Sequence, residues 1–389
     1  MAAPSMPVPE ARLSPGTAFG IYVHVPFCAT RCGYCDFNTY TPAELGGANP
    51  DGWLGALRVE LALAAERVGA VPVDTVFVGG GTPSLLGAER LAAVLDAVRD
   101  AFPLACDAEI TTEANPESTS PAFFETLRAA GYTRISLGMQ SASPRVLAVL
   151  NRTHTPGRAP MAAREALAAG FTHVSLDLIY GTPGESDDDL LASVDAAVAA
   201  GVDHVSAYAL VVEDGTALSR QVRRGEFAAP DDDLLAHRYQ LLDQRLAEAG
   251  LTWYEVSNWS RVGGECRHNL GYWNGGQWWG AGPGAHGFVG DLRWWNVKHP
   301  NFYAQALGER RYPIAGFEWL DDRDRHIEAV MLGIRLRSGL AVGVLTPSEL
   351  ERAERAVEEG LLTGGSERLT LTRRGRLLAD AVVRELLDD

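Results

Sequence analysis

Three cysteines, Cys28, Cys32 and Cys35, fall within eight residues in the stretch VHVPFCATRCGYCDF. Thiolates spaced C-x3-C-x2-C on a curled loop can turn all three sulfurs to one side. A structural zinc normally takes four protein ligands, and no fourth Cys or His follows at finger spacing. His24 is the nearest candidate, but mid-strand it fits better as a packed or hydrogen-bonded residue. A four-iron, four-sulfur cluster has four irons, so three thiolates leave one iron free to bind a substrate or cofactor. On the cysteines alone, a cluster, a zinc site and a chance loop are all open.

Other residues able to do chemistry follow at intervals. Gly79-Gly80-Gly81-Thr82 is a glycine-rich loop whose backbone a ligand can approach closely, although such loops also serve as plain strand-to-helix turns. Glu113, in TEANPES, could accept hydrogen bonds from a ribose or an ammonium, or be an ordinary solvated residue. Gln140 ends SLGMQS, and Arg152 and His154 follow in LNRTHT. Asp177 alternates with Leu176 and Leu178, so it faces away from them into the interior, where an unpaired carboxylate is costly; Arg152 is its expected partner. His268 can serve as a neutral iron ligand or as a structural hydrogen-bonding residue, with Cys266 a rival thiolate two positions away. Cys106 reads as a small core residue.

The elements that carry these residues repeat. Six β-branched runs, at 20–27, 74–81, 108–116, 132–139, 173–181 and 204–212, alternate with Ala- and Leu-rich stretches at helical spacing, the pattern of βα units on a parallel sheet. Ligand sites in such sheets lie at the carboxyl ends of the strands, where the residues above collect. With no convincing seventh or eighth unit, the predicted α/β fold is a partial, open (β/α)6 barrel over residues 19–250. Residues 251–311 lose the rhythm and hold most of the nine tryptophans, which could close the barrel or wall a flat apolar ligand. Residues 312–389 read as helix, helix, β-ribbon and helix, a small winged-helix-like domain.

With 389 residues and 46% hydrophobic content the chain can build both cores. Residues 1–18 are predicted to be a disordered tail, without the apolar core of a signal peptide. No run reaches the roughly 18 apolar residues of a membrane span, so a cytoplasmic protein is expected. A net charge of −16 opposes a nucleic-acid or anionic-lipid partner. Five cysteines without a secretory signal do not suggest a disulfide framework.

Taken together, the cysteine loop with Tyr34 between its last two thiols, the strings YVHVPFC, CDFNTY, GGGTPS, EANPES, LGMQS, NRTHT, LDLIYGTPGE and YALVVEDGT, and their order resemble the oxygen-independent coproporphyrinogen III oxidase family of radical SAM proteins. The resemblance runs from about residue 19 into the C-terminal domain. It implies that Cys28, Cys32 and Cys35 ligate a 4Fe-4S cluster, and that Tyr22, Tyr34, Gly81, Thr82 and Glu113 contact S-adenosylmethionine. Gln140, Arg152 and Asp177 match family positions around the same sites. The oxidase branch is similar up to C-x3-C-x2-C-x-C, but here Phe37 stands at the last position. The heme chaperone branch shares CDF and the string HNxxYW, here His268-Asn269-Leu270-Gly271-Tyr272-Trp273. That likeness implies heme held at His268 and passed to acceptor hemoproteins, membrane-associated ones included, with a reductant for the cluster and self-association as a homodimer as further expectations. If radical chemistry is used, an electron from the cluster would cleave S-adenosylmethionine and the adenosyl radical would abstract a hydrogen atom. The alternative is oxidative decarboxylation of coproporphyrinogen III.

Overall fold

The computed structural model describes residues 12–387, Pro15 and His154 excepted. His154 and most of the predicted tail therefore lie outside the described residues.

The βα rhythm builds β1 (Phe19–Val25), α1 (Pro50–Val68), β2 (Val73–Gly80), α2 (Ala88–Ala101), β3 (Leu104–Ala114), α3 (Pro121–Ala130), β4 (Arg134–Gln140), α4 (Pro144–Val149), α5 (Arg158–Ala168), β5 (His173–Tyr180), α6 (Asp187–Ala199) and β6 (His204–Ala209). The strands pair in parallel in chain order. Local chemistry sets the helix starts. The Asn49 side chain accepts from the Gly52 amide and Pro50 opens α1, while Ser186 and Asp189 cap α6 reciprocally. Leu57, Leu61 and Ala64 then bury one face of α1 completely. Each such leucine contributes about 1.5–3 kcal/mol.

Residues 213–319 extend this sheet at both edges. They form α7 (Ala217–Arg223), α8 (Asp232–Glu248), β7 (Thr252–Glu255), β8 (Asn258–Ser260), α9 (Arg267–Trp273), β9 (Gln277–Ala281), β10 (His286–Val289), β11 (Leu292–Asn296), α10 (Pro300–Gly308) and β12 (Ile314–Trp319). β8 and β7 continue antiparallel from β6. On the other side β9 pairs in parallel with β1, and β10, β11 and β12 follow as an antiparallel meander. The sheet therefore has twelve strands. The seventh parallel strand, QWWGA, is too short and too glycine-interrupted for its period to be read from sequence.

The chain ends in α11 (Asp322–Gly333), β13 (Leu340–Ala341), α12 (Pro347–Glu358), β14 (Leu362–Gly364), β15 (Arg368–Leu371), α13 (Arg373–Leu377) and α14 (Ala379–Leu387). This winged-helix-like module has its own core around Val330, Ile334, Ala353, Leu369, Val382 and Leu386. Arg373 and Arg376 bind Asp243 of α8 at 3.0 and 2.7 Å, and the Arg376 guanidinium lies 4.6 Å from the Trp253 ring centre.

Candidate functional site

The three-cysteine loop hangs between stapled ends. Cys28 donates its amide to the Tyr40 carbonyl and Tyr40 donates to that of Pro26. His24 is buried, its ring nitrogens 2.9 Å from the Asn38 carbonyl and 3.0 Å from the Tyr22 hydroxyl. Beneath the loop lies the glycine turn. Gly81 and Thr82 donate to the carbonyls of Val25 and Phe27, and the Thr82 hydroxyl is 3.6 Å from the Cys28 sulfur. A Cβ on Gly81 would stand 2.6 Å from the Phe27 carbonyl oxygen and 3.1 Å from that sulfur, so only glycine lets the two segments meet. Tyr34 packs into an apolar nest of Val146, Leu150, Ile179, Leu210 and Leu218. Arg152 donates to the Cys32 sulfur at 3.3 Å.

All three cysteines are free and partly exposed. Burial pushes the Cys28 and Cys35 thiols up, and each feels the charge of its neighbours. Zinc needs its ligands gathered about one point. Among the described residues, no group of three or more His, Cys, Asp or Glu side chains is gathered to hold one ion. A cluster binds one thiolate at each of several irons, and Arg152 stands as a cation beside the Cys32 sulfur.

Inside the barrel a cavity of about 140 Å³ is lined from nearly every parallel strand, including Tyr22, Phe77, Glu113, Ser136, Asp177 and Tyr208. Glu113 accepts from the Gly80 amide at 3.0 Å. Burial, then the charge of Asp177, pushes its carboxyl up to about 8. Asp177 is also pushed up by burial, against hydrogen bonds from Ser136 at 2.8 Å and Ser175 at 3.5 Å. The expected Arg152–Asp177 pair is not made. Serines supply the carboxylate's donors, while Arg152 reaches Cys32 and the Gly138 carbonyl. Gln140 is buried at the end of β4 with φ +64°. A side chain on Gly138 would meet both Arg152 and Gln140 at 2.8 Å.

Short helix α9 delivers His268 to the other wall of the cavity. The imidazole is 3% exposed, lies 2.8 Å from the Thr75 hydroxyl through Nδ1 and 2.8 Å from the Tyr272 hydroxyl through Nε2, and stacks on Phe77. Burial pushes its pKa down to about 4. It is thus a neutral ring with both nitrogens engaged. The Cys266 thiol, pushed up to about 12 by burial, stays protonated and lies 3.5 Å from Glu109. Glu109 also accepts from the His268 amide at 3.0 Å and from Arg134 at 2.9 Å, and Arg134 donates to the carbonyls of Gly264 and Glu265. This clasp escaped sequence reading. Its signal was the alternation Glu109, Thr111, Glu113, which puts Glu109 on the cavity face of β3. Cys106, expected in the core, is exposed. The β2–β3 register slips between Val73 and Thr75, so residues 105–108 bow out of the ladder.

A second, more open cavity of about 560 Å³ lies outside the barrel, against Cys32, Cys35, Phe37, Tyr40, Arg220 and Lys298. Phe37 is exposed there.

A parallel α/β barrel with three thiols on the loop after its first strand defines the radical SAM class, and the sequence model of the Radical SAM superfamily matches residues 22–197. Over 96% of both chains the sequence is 70% identical to the heme chaperone HemW of Mycobacterium tuberculosis. It is 34% identical to heme chaperone HemW of Escherichia coli over 94% of this chain and 97% of that one. The chain belongs to the HemW family of radical SAM proteins. Among solved structures, coproporphyrinogen III oxidase (HemN) from Escherichia coli superposes with a TM-score of 0.83, covering 96% of this chain and 91% of that one at 22% identity, a likeness of fold. Membership of the superfamily carries with it a 4Fe-4S cluster and S-adenosylmethionine.

Proposed function

We propose that this protein is a heme chaperone, binding heme and handing it to acceptor hemoproteins. The full-length 70% identity to heme chaperone HemW carries the reading. The size of the inner cavity supports it. Sites for drug-sized ligands run to about 300–1,000 Å³, whereas the barrel interior offers about 140 Å³. A tetrapyrrole is larger than that, so the cavity would take only part of it, with His268 on the cavity wall as the expected iron ligand and the remainder reachable for uptake and release.

Cys28, Cys32 and Cys35 would hold the cluster, with Arg152 as the cation that favours the thiolate of Cys32. When bound, the cluster supplies the electron that cleaves S-adenosylmethionine. Tyr22, Tyr34, Gly81, Thr82 and Glu113 would contact that cofactor, with Gln140, Arg152 and Asp177 around it. Glu113, its carboxyl pushed up to about 8 by burial, would release its proton to solvent when an ammonium is brought beside it, because the opposite charge lowers its pKa. Phe37, exposed where the oxidases carry a further cysteine, supplies apolar surface instead of a thiol.

No described helix is long and apolar enough to cross a membrane. A cytoplasmic protein that meets membrane-associated acceptors at the surface fits that observation and is part of the proposal, as are a separate reductant for the cluster and a homodimeric state. The test pairs transfer with catalysis. Heme-loaded protein should deliver heme to an apo-hemoprotein, read as recovered activity of the acceptor, and reconstituted protein should leave coproporphyrinogen III unchanged. Formation of protoporphyrinogen would refute the chaperone reading.

A further inference from the structure

The partners of His268 assign the position of its proton. Tyr272 lies one turn beyond it on α9, and the one hydrogen bond its hydroxyl donates among the described residues goes to Nε2 of that imidazole, at 2.8 Å. A phenol is protonated at neutral pH, and a neutral imidazole accepts only at the nitrogen that carries no proton. Nε2 therefore turns its lone pair to the phenol. The proton sits on Nδ1, which donates to the Thr75 hydroxyl at 2.8 Å. This is the tautomer in which an imidazole binds a metal through Nε2, its other nitrogen held by an acceptor. The lone pair that iron would take is occupied by a hydrogen bond instead.

Of the two rings, the imidazole is the fixed one. It is buried and stacks on Phe77, with centres 5.3 Å apart and planes 26° from parallel. Tyr272 is half-buried, and beyond His268 its ring meets the edge of Trp278 at 4.5 Å. Helix α9 stops one residue later, and Gly275 follows at φ +66°, a left-handed conformation that favours glycine. A Cβ on Gly271, just before the tyrosine, would meet nothing within 4 Å. The backbone that carries the phenol thus has a glycine turn behind it and open space beside it.

We propose that Tyr272 competes with the cargo iron for His268, capping the Nε2 lone pair in the empty protein, leaving it when heme binds and recapturing it as heme departs. No proton moves, since the phenol and Nδ1 each keep their own. This role rests on the heme chaperone reading with His268 as ligand, and it supplies that reading with a means of release, because each heme bound breaks the phenol's hydrogen bond.

Hemin titration of the full-length protein, followed by its Soret band, gives the affinity, and stopped-flow transfer to an apo-hemoprotein gives the release rate. Tyr272→Phe, which keeps the ring and its packing on Trp278, should bind hemin about fivefold more tightly and release it more slowly by a similar factor, the scale of one hydrogen bond. Its imidazole-ligated band should be retained. Thr75→Val removes the acceptor at Nδ1 and should act in the opposite direction, weakening binding about tenfold. A tyrosine that only supports the fold would not tighten binding when altered. Equal or weaker binding by Tyr272→Phe, or loss of the imidazole-ligated band in that variant, would overturn the competitor role while leaving the chaperone reading intact. Undiminished binding by His268→Gly would overturn it by removing His268 as the ligand. Failure of the unaltered protein to bind hemin would overturn the chaperone reading and this role with it.

Discussion

Arg134 and Glu109 form an ion pair whose side chains are 2% and 5% exposed, and removing one partner should be far more damaging than removing both. Arg134→Met leaves a buried carboxylate without its cation, a loss of about 3–5 kcal/mol. Against a total stability of roughly 5–15 kcal/mol this is a large share, and the midpoint of thermal unfolding should fall by about 4–6 °C, given an unfolding entropy of about 2.1 cal/mol/K per residue. Glu109→Leu with Arg134→Met removes both charges. Such replacements are often close to neutral, but here the His268 amide loses its acceptor, so a residual cost of about 1–3 kcal/mol remains. The exposed pair Arg58–Asp100, at 3.0 Å with 43% and 73% exposure, is the control, and Arg58→Ala should cost less than about 1 kcal/mol. Chemical denaturation followed by circular dichroism gives the stabilities of the original protein, Arg134→Met, Glu109→Leu, the double variant and Arg58→Ala. A double variant as unstable as the two single losses summed, or an Arg134→Met protein within about 1 kcal/mol of the original, would refute the coupling.

Glu60 is buried against Gly282, Asn296 and Tyr303, and burial pushes its carboxyl up to about 7. A group raised in the folded state keeps its proton there while the unfolded chain has lost it, so stability should fall as pH rises from the ordinary carboxylate range through about 7. Glu60→Gln should flatten that slope in denaturant titrations run between pH 5 and pH 8. Gly81→Ala drives a methyl group against the Phe27 carbonyl and the Cys28 sulfur, and iron and sulfide bound per chain after anaerobic reconstitution should drop sharply while the circular dichroism spectrum is retained. Arg152→Gln removes the cation at Cys32 and should speed loss of iron to a chelator, a faster bleaching of the cluster's visible absorption. Unchanged bleaching would remove Arg152 from the cluster's surroundings.

The six parallel strands were legible because each is a β-branched run followed by a glycine or polar stop, and their ends carried the glycine turn, Glu113, Gln140 and Asp177. The sheet edges were not. β7, β8 and β9 are three to five residues long, shorter than a period can declare, and their pairing is decided by what the barrel leaves uncovered. Single side chains on strands were placed on the correct face without their partners. Alternation puts Asp177 inside, but only the folded register sets Ser136 and Ser175 against it rather than Arg152. Cys106 went astray for a similar reason, since a slip in register is invisible in composition.

Strand β1 is an interior strand of the sheet, flanked by β2 and by β9, and this orders events on the ribosome. The cysteine loop and the strands to β6 emerge by residue 209, whereas β9 and the segment that Asn38 grips, Pro283 and Lys298, come roughly 70–90 residues later. At about 5–20 residues per second, the nascent barrel carries one unpaired flank beside its three-cysteine loop for several seconds. Until that segment is made, the loop lacks the anchor that Asn38 finds on Pro283 and Lys298 in the finished protein.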